Sequence, residues 1–364
     1  MTTPPSMCPS GDLSGGDLPA RFDPGVAHPA RVYAFWLGGK DHYPADRAAG
    51  QEVARLRPQV VAAARANRGF GCRVTGYAAS GLRIQQFLDV GAGLPAPGPT
   101  HETAQKVNRA CRIVYADNDP LVLAHGRALM TARPGAEPCA WVDGDVRDPA
   151  ALLERAGAVL DFTKPVAVLL LALLHFVSDE EDPAGIVGQF AAALAPGSLI
   201  AISHLTGDFA PAEIAAGTAA YNARVPVQVH PRSRDEVTAL CGSLPIEYPG
   251  VVPVNHWMPS LRETLGPAVD LHAAVIRLPR PETAAPAESS PAGAGLTATG
   301  TRQEREAAEL ARAAARFPGH EITEEHTGEG RVYVARARHL GTSPYLVMSH
   351  SLEKVCARLS ASPE

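Results

Sequence analysis

The sequence has 364 residues, 46% of them hydrophobic, and a formal net charge of -5. This length and apolar content predict one large domain with a full core and a smaller accessory piece. Because the chain has no basic excess to neutralise a phosphate backbone, nucleic acid is not expected as a partner.

The first segment of the chain has the composition of an unstructured tail. Residues 1–24 are rich in Pro, Gly, Ser and Asp, without periodicity or an apolar signal-peptide core, which predicts a disordered tail. The longest near-apolar run, Val166–Val177, is shorter than the about 20 residues that span a bilayer. The six cysteines form no C-x-x-C pair, which favours reduced thiols. We therefore expect a cytoplasmic protein with no membrane partner and no metal.

Residues 25–278 alternate between helical patterns and apolar runs typical of strands. Helices are predicted over Ala45–Leu56 and Pro58–Ser80, before the first strand. The alternation predicts βαβ crossovers and a doubly wound, mostly parallel α/β sheet. The last two runs are separated by prolines rather than by a helix, which favours an antiparallel edge pair. The strands are predicted at Gln86–Val90, Arg112–Asp117, Cys139–Val142, Val166–Leu171, Leu199–Ser203, Val251–Val254 and Ala273–Leu278.

The end of the chain is predicted to be a separate, smaller unit. Residues 279–300 are rich in Pro, Ala and Ser, which predicts a linker. Residues 301–364 then predict a small α+β accessory module without a chemical motif. Its elements are a helix at Gln303–Arg316, strands at His320–Thr323, Arg331–Ala335 and Tyr345–Met348, and a helix at Leu352–Leu359.

Ligands of open parallel sheets bind outside the carboxyl ends of the strands, so the residues that follow each strand are site candidates. After the first strand comes the run from Asp89 to Gly93. Gly91 and Gly93 permit a tight turn and a close approach of ligand to backbone, and Asp89 can orient the loop and a cationic amino group. A plain turn is the alternative interpretation of the glycine pair.

Acidic residues also follow the second and third strands. Asp117 ends the second strand, where a carboxylate can accept both hydroxyls of a nucleoside ribose, and Asn118 comes next. Asp145 can accept from an adenine amino group while the Val146 N–H faces a ring nitrogen. A solvent-facing loop acid is the alternative for Asp145.

Three other polar residues near strand ends have competing interpretations. Asp119 and Asp148 each precede a proline, the pattern of a helix N-cap, so we expect capping from both. The fourth strand leads to His175, which places an imidazole beside the crevice. His175 is a candidate base or substrate-positioning group, and a packed histidine is the alternative.

The glycine run also permits a different cofactor. Gly91–Ala96 formally satisfies the G-x-G-x-x-A fingerprint of nicotinamide dinucleotide sites. However, Pro95 and Pro97 interrupt the passage from glycine to helix, and the carboxylates of Asp89 and Asp145 would repel a pyrophosphate. The same negative charge attracts a sulfonium. The motifs therefore favour S-adenosylmethionine (SAM).

Several segments, in order along residues 28–278, resemble the actinobacterial S-adenosyl methyltransferase family. They are ARVYAFWLGGKDHYPADR, ANRGF, FLDVGAGLP, VYADNDPLVLAHGRAL, GDVRDP, LLLALLHFVSDEEDPAGIV and LAPGSLIAISH. The resemblance implies a class I methyltransferase with a Rossmann-like seven-stranded sheet in the order 3-2-1-4-5-7-6 and S-adenosyl-L-methionine as cofactor. The cofactor positions it implies are Asp89, Gly91, Gly93, Asp117, Asn118, Asp145 and Val146. Pro95 stands where such enzymes commonly have a third glycine.

The segment Tyr33–Tyr43 resembles the N-terminal piece of the same family. Its Gly-Gly pair suits a lid that closes over the crevice. A helix that ends at a glycine cap, with Trp36 in the core, is the alternative. Tyr33 and Asp41 are candidate catalytic residues, and Lys40 is a candidate cofactor ligand.

The expected function is SAM-dependent methylation of an unidentified small molecule. For an alcohol or amine acceptor, His175 is the first candidate base, followed by Tyr33 and Asp41, whereas a carboxylate acceptor needs no base. Two alternatives stay open: a SAM-binding regulatory or interaction protein without turnover, and, less favoured, an NAD-dependent oxidoreductase. The sequence predicts neither the acceptor nor the oligomeric state.

Overall fold

The computed structural model describes residues 23–130, 135–258, 266–279, 302–317, 320–327, 330–337, 346–349 and 351–360. The predicted disordered tail lies outside these ranges except for its last two residues. The predicted linker lies outside them except for Pro279. The domain boundaries stay predictions.

A seven-stranded, mostly parallel sheet is the centre of the fold. Its strands are β1 (Gln86–Val90), β2 (Arg112–Asp117), β3 (Cys139–Asp143), β4 (Ala167–Leu171), β5 (Leu199–Leu205), β6 (Val252–Pro253) and β7 (Leu271–Arg277). Their order in the sheet is β3-β2-β1-β4-β5-β7-β6. The first five strands are parallel, and β7 is antiparallel to both β5 and β6. The predicted fold class, strand order and antiparallel edge are therefore confirmed.

Helices pack on both faces of this sheet. Alternate residues of β4 belong to different core clusters, with Val168 and Leu170 in one and Ala167 and Leu169 in the other. A strand covered on both faces needs a continuously apolar sequence, which is what β4 has. The helices are α1 (Pro29–Trp36), α2 (Pro44–Leu56), α3 (Val60–Gly76), α4 (Thr100–Val107), α5 (Pro120–Leu129), α6 (Pro149–Ala156), α7 (Pro183–Ala193), α8 (Pro211–Asn222) and α9 (Arg234–Leu240).

Two of the crossover helices begin with the predicted aspartate caps. Asp119 accepts a hydrogen bond from the Leu121 N–H at 2.8 Å, at the start of α5. Asp148 accepts one from the Ala151 N–H at 3.0 Å, at the start of α6. These bonds satisfy N–H groups that have no partner within the helix. Both capping predictions are confirmed.

Two predicted elements differ from the structure. The sixth strand consists only of Val252–Pro253, because Pro253 has no N–H to extend a ladder and a 3-10 turn follows at Val254–His256. The long helix predicted over Pro58–Ser80 begins at Val60 and changes to a π-helical turn at Tyr77–Gly81. Neither difference alters the sheet order.

A buried carboxylate holds the N-terminal helices together. The side chain of Asp46, in the first turn of α2, accepts hydrogen bonds from the N–H groups of His28 and Tyr43. It also forms an ion pair with Arg31 of α1, with 3.3 Å between Oδ1 and Nε. Asp46 is fully buried, so α1 and α2 form one fixed unit.

The last described segments form a second sheet. Its elements are α10 (Arg302–Arg316), β8 (His320–Thr327), β9 (Gly330–Ala337), β10 (Leu346–Ser349) and α11 (Leu352–Ser360), with the antiparallel strand order β10-β9-β8. The two helices and three strands predicted here are present. They enclose a small core of Ala313, Ile322, Ala335 and Val355.

Candidate active site

A cavity of about 880 Å³ lies at the carboxyl ends of the central strands. The loops after β1, β2, β3 and β4 line one side of it. Helices α1, α3 and α8, the end of α2 and residues 226–230 line the other. Strands β1 and β4 are neighbours in the sheet but not in the chain, so the cavity lies at the switch point where open α/β sheets bind ligands. Its volume is that of a large small-molecule site.

The loop after β1 takes a conformation that requires its glycines. Gly91 and Gly93 have φ angles of 68° and 67°. A Cβ atom at Gly91 would lie 2.6 Å from a methyl carbon of Leu173, which leaves no room for a side chain. Both glycines line the cavity, as does the buried Val146 of the loop after β3. At Gly93, by contrast, nothing lies within 4 Å of the position of a Cβ atom, so the backbone is open to a ligand there.

Asp117 connects the end of β2 to the glycine loop. Its Oδ2 accepts from the Gly93 N–H at 2.9 Å, and its Oδ1 accepts from the Asp119 N–H at 3.0 Å. Burial raises the pKa of Asp117 to about 6, although these two bonds oppose the rise. A carboxylate has about four acceptor positions, so two are left for hydroxyl groups in the cavity that Asp117 lines.

Asp145 and Asn118 lie together at the edge of the cavity. The Asn118 Nδ2 donates to Asp145 Oδ2 at 2.8 Å, and Arg147 donates to Asp145 Oδ1 from its backbone N–H and from Nη1. Arg147 also donates to the Glu181 carboxylate and to the Phe176 carbonyl, each at 2.6 Å. This arginine, which the sequence analysis did not select, fixes the loop after β3 against the loop after β4.

Asp89 and Arg68 both line the cavity. The Asp89 carboxylate accepts from the Thr100 hydroxyl at 2.7 Å. Burial raises the pKa of Asp89, while the Thr100 hydrogen bond and the charge of Arg68 act in the opposite direction. The Arg68 Nη2 donates to the carbonyls of Pro97 at 3.4 Å and Gly98 at 3.2 Å. Arg68 was also not selected from the sequence.

His175 lines the cavity as a buried, neutral imidazole. Its Nδ1 accepts from the Leu205 N–H at 3.4 Å, which leaves the single proton of the neutral ring on Nε2. Burial, together with the positive charges of His204, Arg232 and His230, holds the pKa of His175 well below its usual range. In this arrangement Nε2 donates a hydrogen bond and does not accept a proton, so the geometry favours positioning over the base role.

Tyr33 lines the cavity with its hydroxyl already engaged. The hydroxyl donates to the Ala64 carbonyl at 3.0 Å and accepts from the Asn67 Nδ2 at 3.0 Å. Burial raises the pKa of Tyr33, so the phenol stays protonated at neutral pH. These contacts make Tyr33 part of the cavity wall and disfavour a role as a base.

Lys40 and Asp41 are not brought to the cavity. Helix α1 ends with Gly38 at a φ of 80°, and the N–H groups of Gly38 and Gly39 donate to carbonyls in the last turn of the helix. This is the glycine-capped helix end predicted as the alternative to a lid. The chain then turns outward, so Lys40 is exposed and Asp41 lies 3.7 Å from the His125 Nδ1. The cavity lining includes neither Lys40 nor Asp41, and their assignment as site residues stays a prediction.

The cavity also has many apolar lining residues. They include Trp36, Phe176, Leu205, Ile214 and Val227. Two charged residues, Arg57 and Asp270, line the cavity as well, and they bind each other through both Asp270 oxygens at 2.8 and 2.9 Å. The Arg57 guanidinium contacts Glu213 as well. These charges are therefore compensated within the protein.

A family model described as S-adenosyl methyltransferase matches residues 16–279. The chain belongs to the S-adenosyl methyltransferase family. A solved DUF574 family protein from Streptomyces avermitilis is 37% identical to this methyltransferase, with a TM-score of 0.67, over 70% of this chain and 98% of the other. A candidate methyltransferase from Thermobifida fusca is 32% identical, with a TM-score of 0.65, over 70% and 96% of the two chains. A comparison with functionally curated proteins gave no match.

Membership of this family confirms the resemblance noted in the sequence and establishes the enzyme class and its cofactor, SAM. The residues at the strand ends fit that cofactor, since buried Asp117 has unused acceptor positions and the glycine turn is open to a ligand. The NAD-dependent alternative is not favoured.

Among the described residues, no helix has the length and hydropathy needed to cross a membrane. Nor do the described residues include a cluster of His, Cys, Asp or Glu arranged for a metal ion.

Proposed function

We propose that this methyltransferase transfers the methyl group of SAM to an uncharged small molecule bound in the apolar part of the cavity. The observation that supports this most directly is the continuity of the cavity. One space is lined both by the strand-end carboxylates and by residues of α1, α3 and α8. A concave site of this volume suits a small molecule better than a macromolecular chain.

We assign the nucleoside of the cofactor to the residues after β2 and β3. Asp117 accepts the ribose hydroxyls, and Asp145 accepts from the adenine amino group while the Val146 N–H faces the ring. Asn118 holds Asp145 in place through the 2.8 Å bond described above. SAM supplies an activated methyl group, so the protein mainly positions the two reactants.

The character of the acceptor is inferred from the walls of its compartment. Aromatic and aliphatic side chains favour an apolar acceptor, because burying an unpaired charge there would be costly. Arg57 is neutralised by Asp270 and Glu213, so it offers no free charge to an anionic acceptor. These two features together support an uncharged acceptor.

We assign His175 the role of orienting the acceptor. The Nε2–H donates to the acceptor while Nδ1 is held by the Leu205 N–H. With Tyr33 engaged and Asp41 outside the cavity, no candidate base from the sequence has a free acceptor atom at the site. The arrangement suits an uncharged nucleophile that reacts without proton removal by the protein, such as a neutral amine.

The proposal is tested by following the label from methyl-labelled SAM in a cell extract. The extract is separated into small-molecule, protein and nucleic acid fractions after incubation with the full-length enzyme. We expect label in the small-molecule fraction and none above background with Asp117→Ala. Label confined to a macromolecular fraction would contradict the proposal. Tight cofactor binding with no label transfer would instead support the non-catalytic binding protein.

A further inference from the structure

The loop after α8 supplies the cavity with a second histidine. Residues 226–230 line the cavity, and two of them, Gln228 and His230, have polar side chains. The Gln228 side chain is engaged, since it donates to three backbone carbonyls between residues 222 and 226. The His230 imidazole is half-buried. In the part of the chain that the structure describes, this ring makes no hydrogen bond, ion pair or ring contact.

A backbone hydrogen bond places His230 beside His175. The His230 N–H donates to the His175 carbonyl at 2.8 Å, and the Arg232 N–H donates to the Leu205 carbonyl at 3.0 Å. These bonds join the loop to the turn after β4 and to the end of β5. Because the main chain makes both of them, a substitution of the His230 side chain leaves the loop attached.

The two imidazoles offer different hydrogen-bonding groups to a molecule in the cavity. The Nε2 of His175 is a donor, since its Nδ1 accepts from the Leu205 N–H. A neutral imidazole always has one nitrogen with a free lone pair, and at His230 this nitrogen has no donor among the described residues. His230 can therefore accept a hydrogen bond from a bound molecule and then accept the proton itself.

We propose that the methyl acceptor is an aromatic amine and that His230 is the catalytic residue that receives its proton. The inference rests on the function proposed above and names the class of the acceptor. An aromatic amine is uncharged at neutral pH because its lone pair is delocalised into the ring. Its ring suits a cavity lined by aromatic side chains such as Trp36 and Phe176.

The reaction needs no proton removal before the methyl group is transferred. The amine lone pair forms a bond to the methyl carbon while the carbon–sulfur bond breaks, and the electron pair of that bond stays on sulfur. Positive charge develops on nitrogen, which strengthens the hydrogen bond from its N–H to His230. The proton then moves to the imidazole, and the neutral N-methyl amine leaves. His230 passes the proton to water, since its ring is only half-buried.

The acceptor class is tested with SAM that carries carbon-13 in its methyl group. The full-length enzyme is incubated with this SAM and a cell extract, and the methylated small molecules are isolated. NMR then identifies the atom that carries the new methyl group. We expect an N–CH3 signal that correlates with an aromatic carbon. A methyl group on oxygen, sulfur, carbon or an aliphatic nitrogen would overturn the inference.

The role of His230 is tested with His230→Asn and His230→Gln in the same extract. Each amide oxygen can accept a hydrogen bond from the amine but does not take up its proton. Both variants should lower the initial rate of methyl transfer about 100-fold, the effect of losing a general base. The Kd for S-adenosylhomocysteine, measured by calorimetry, should not change. His125→Gln is the matched control, since His125 is a half-buried histidine outside the cavity lining.

An unchanged rate in both His230 variants would overturn the role of His230. A weaker Kd for S-adenosylhomocysteine would overturn it as well, because the histidine would then support the cofactor site. Circular dichroism checks that each variant is folded. Absence of label from the small molecules with the unaltered enzyme would instead contradict the proposed function, and with it this inference. An aromatic N-methyl product together with slow transfer by both variants is the supporting result.

Discussion

The carboxylate of Asp117 accepts a hydrogen bond from the Gly93 N–H at 2.9 Å, and this bond joins the end of β2 to the loop after β1. The same carboxylate lines the cavity. The residue assigned to the ribose therefore also sets the position of the glycine turn that a cofactor must approach. Binding of the nucleoside and ordering of the loop are coupled through one side chain.

Replacement of Asp117 by Asn should weaken S-adenosylhomocysteine roughly 10- to 100-fold, because hydrogen bonds to a charged acceptor are stronger than those to an amide. Isothermal calorimetry measures the Kd, and circular dichroism checks the fold. Asp143→Asn is the matched control, since Asp143 is an exposed acid at the end of the neighbouring strand. Similar Kd values for the Asp117 and Asp143 variants would contradict the assignment.

Cofactor affinity should fall in mild acid. The pKa of Asp117 is about 6 in the free protein, and ribose hydroxyls bind its ionised form. This pKa lies above the usual aspartate value, so the Asp117 side chain becomes protonated in the free protein as the pH falls below about 6. The cofactor must then displace that proton in order to bind, and its affinity falls. We expect about a tenfold weaker Kd at about pH 5 than at about pH 7. Calorimetry in buffers of different ionisation enthalpy should detect proton release, and Asp117→Asn should remove both effects.

The sheet could be predicted from the sequence because its signals are local. Continuous apolar runs mark β4 and β5, and Asp-Pro pairs mark the starts of α5 and α6. Residues at strand ends are brought together by the topology alone, which is why Asp117 and Asp145 were placed correctly at the cavity.

The roles of residues outside the strand ends depend on contacts that no local pattern encodes. Lys40 and Asp41 are not among the residues that line the cavity, because the chain turns outward after Gly38. The proton position on His175 depends on the Leu205 N–H, 30 residues later in the chain. Arg68 is distinguished from the exposed Arg65 only by where α3 lies against the glycine loop. Two of the missed residues had a usable signal, since Arg147 stands inside the motif GDVRDP and Arg68 inside ANRGF.

His175 should not titrate near neutral pH. Burial and the nearby positive charges disfavour its protonated form, and the bond from Leu205 fixes the proton on Nε2. Nitrogen-detected NMR of labelled histidine rings should therefore give a constant Nε2–H signal from about pH 5.5 to about pH 8. Comparison with His175→Gln assigns the signal. A titration near pH 6.5, or a proton on Nδ1, would favour the base role.

Breaking the Arg57–Asp270 pair should destabilise the fold. Asp270 is almost fully buried, so Arg57→Met leaves its carboxylate without the guanidinium that donates to both oxygens. The loss should lower the unfolding free energy by about 3 kcal/mol. Urea denaturation measures the change in unfolding free energy. The double variant Arg57→Met, Asp270→Asn should recover most of it, since no unpaired charge is then buried. Arg55→Gln is the control: its pair with Glu52 is largely exposed to solvent, so its loss should change the unfolding free energy much less.

Gly217 offers a way to separate acceptor binding from cofactor binding. It lies in α8 on the wall of the cavity, and a Cβ atom there would be 3.8 Å from Val53 and 3.9 Å from Arg57, an ordinary contact. Gly217→Ala should therefore be accepted, with a gain of up to about 1 kcal/mol in stability because glycine disfavours helices. A Cβ atom at Gly217 is directed at Val53 and Arg57, which also line the cavity, so Gly217→Leu places a bulky side chain against this part of the wall. It should lower methyl transfer to the small-molecule fraction roughly tenfold or more, while the Kd for S-adenosylhomocysteine stays unchanged. Equal methyl transfer by the Leu and Ala variants would place the acceptor away from this wall.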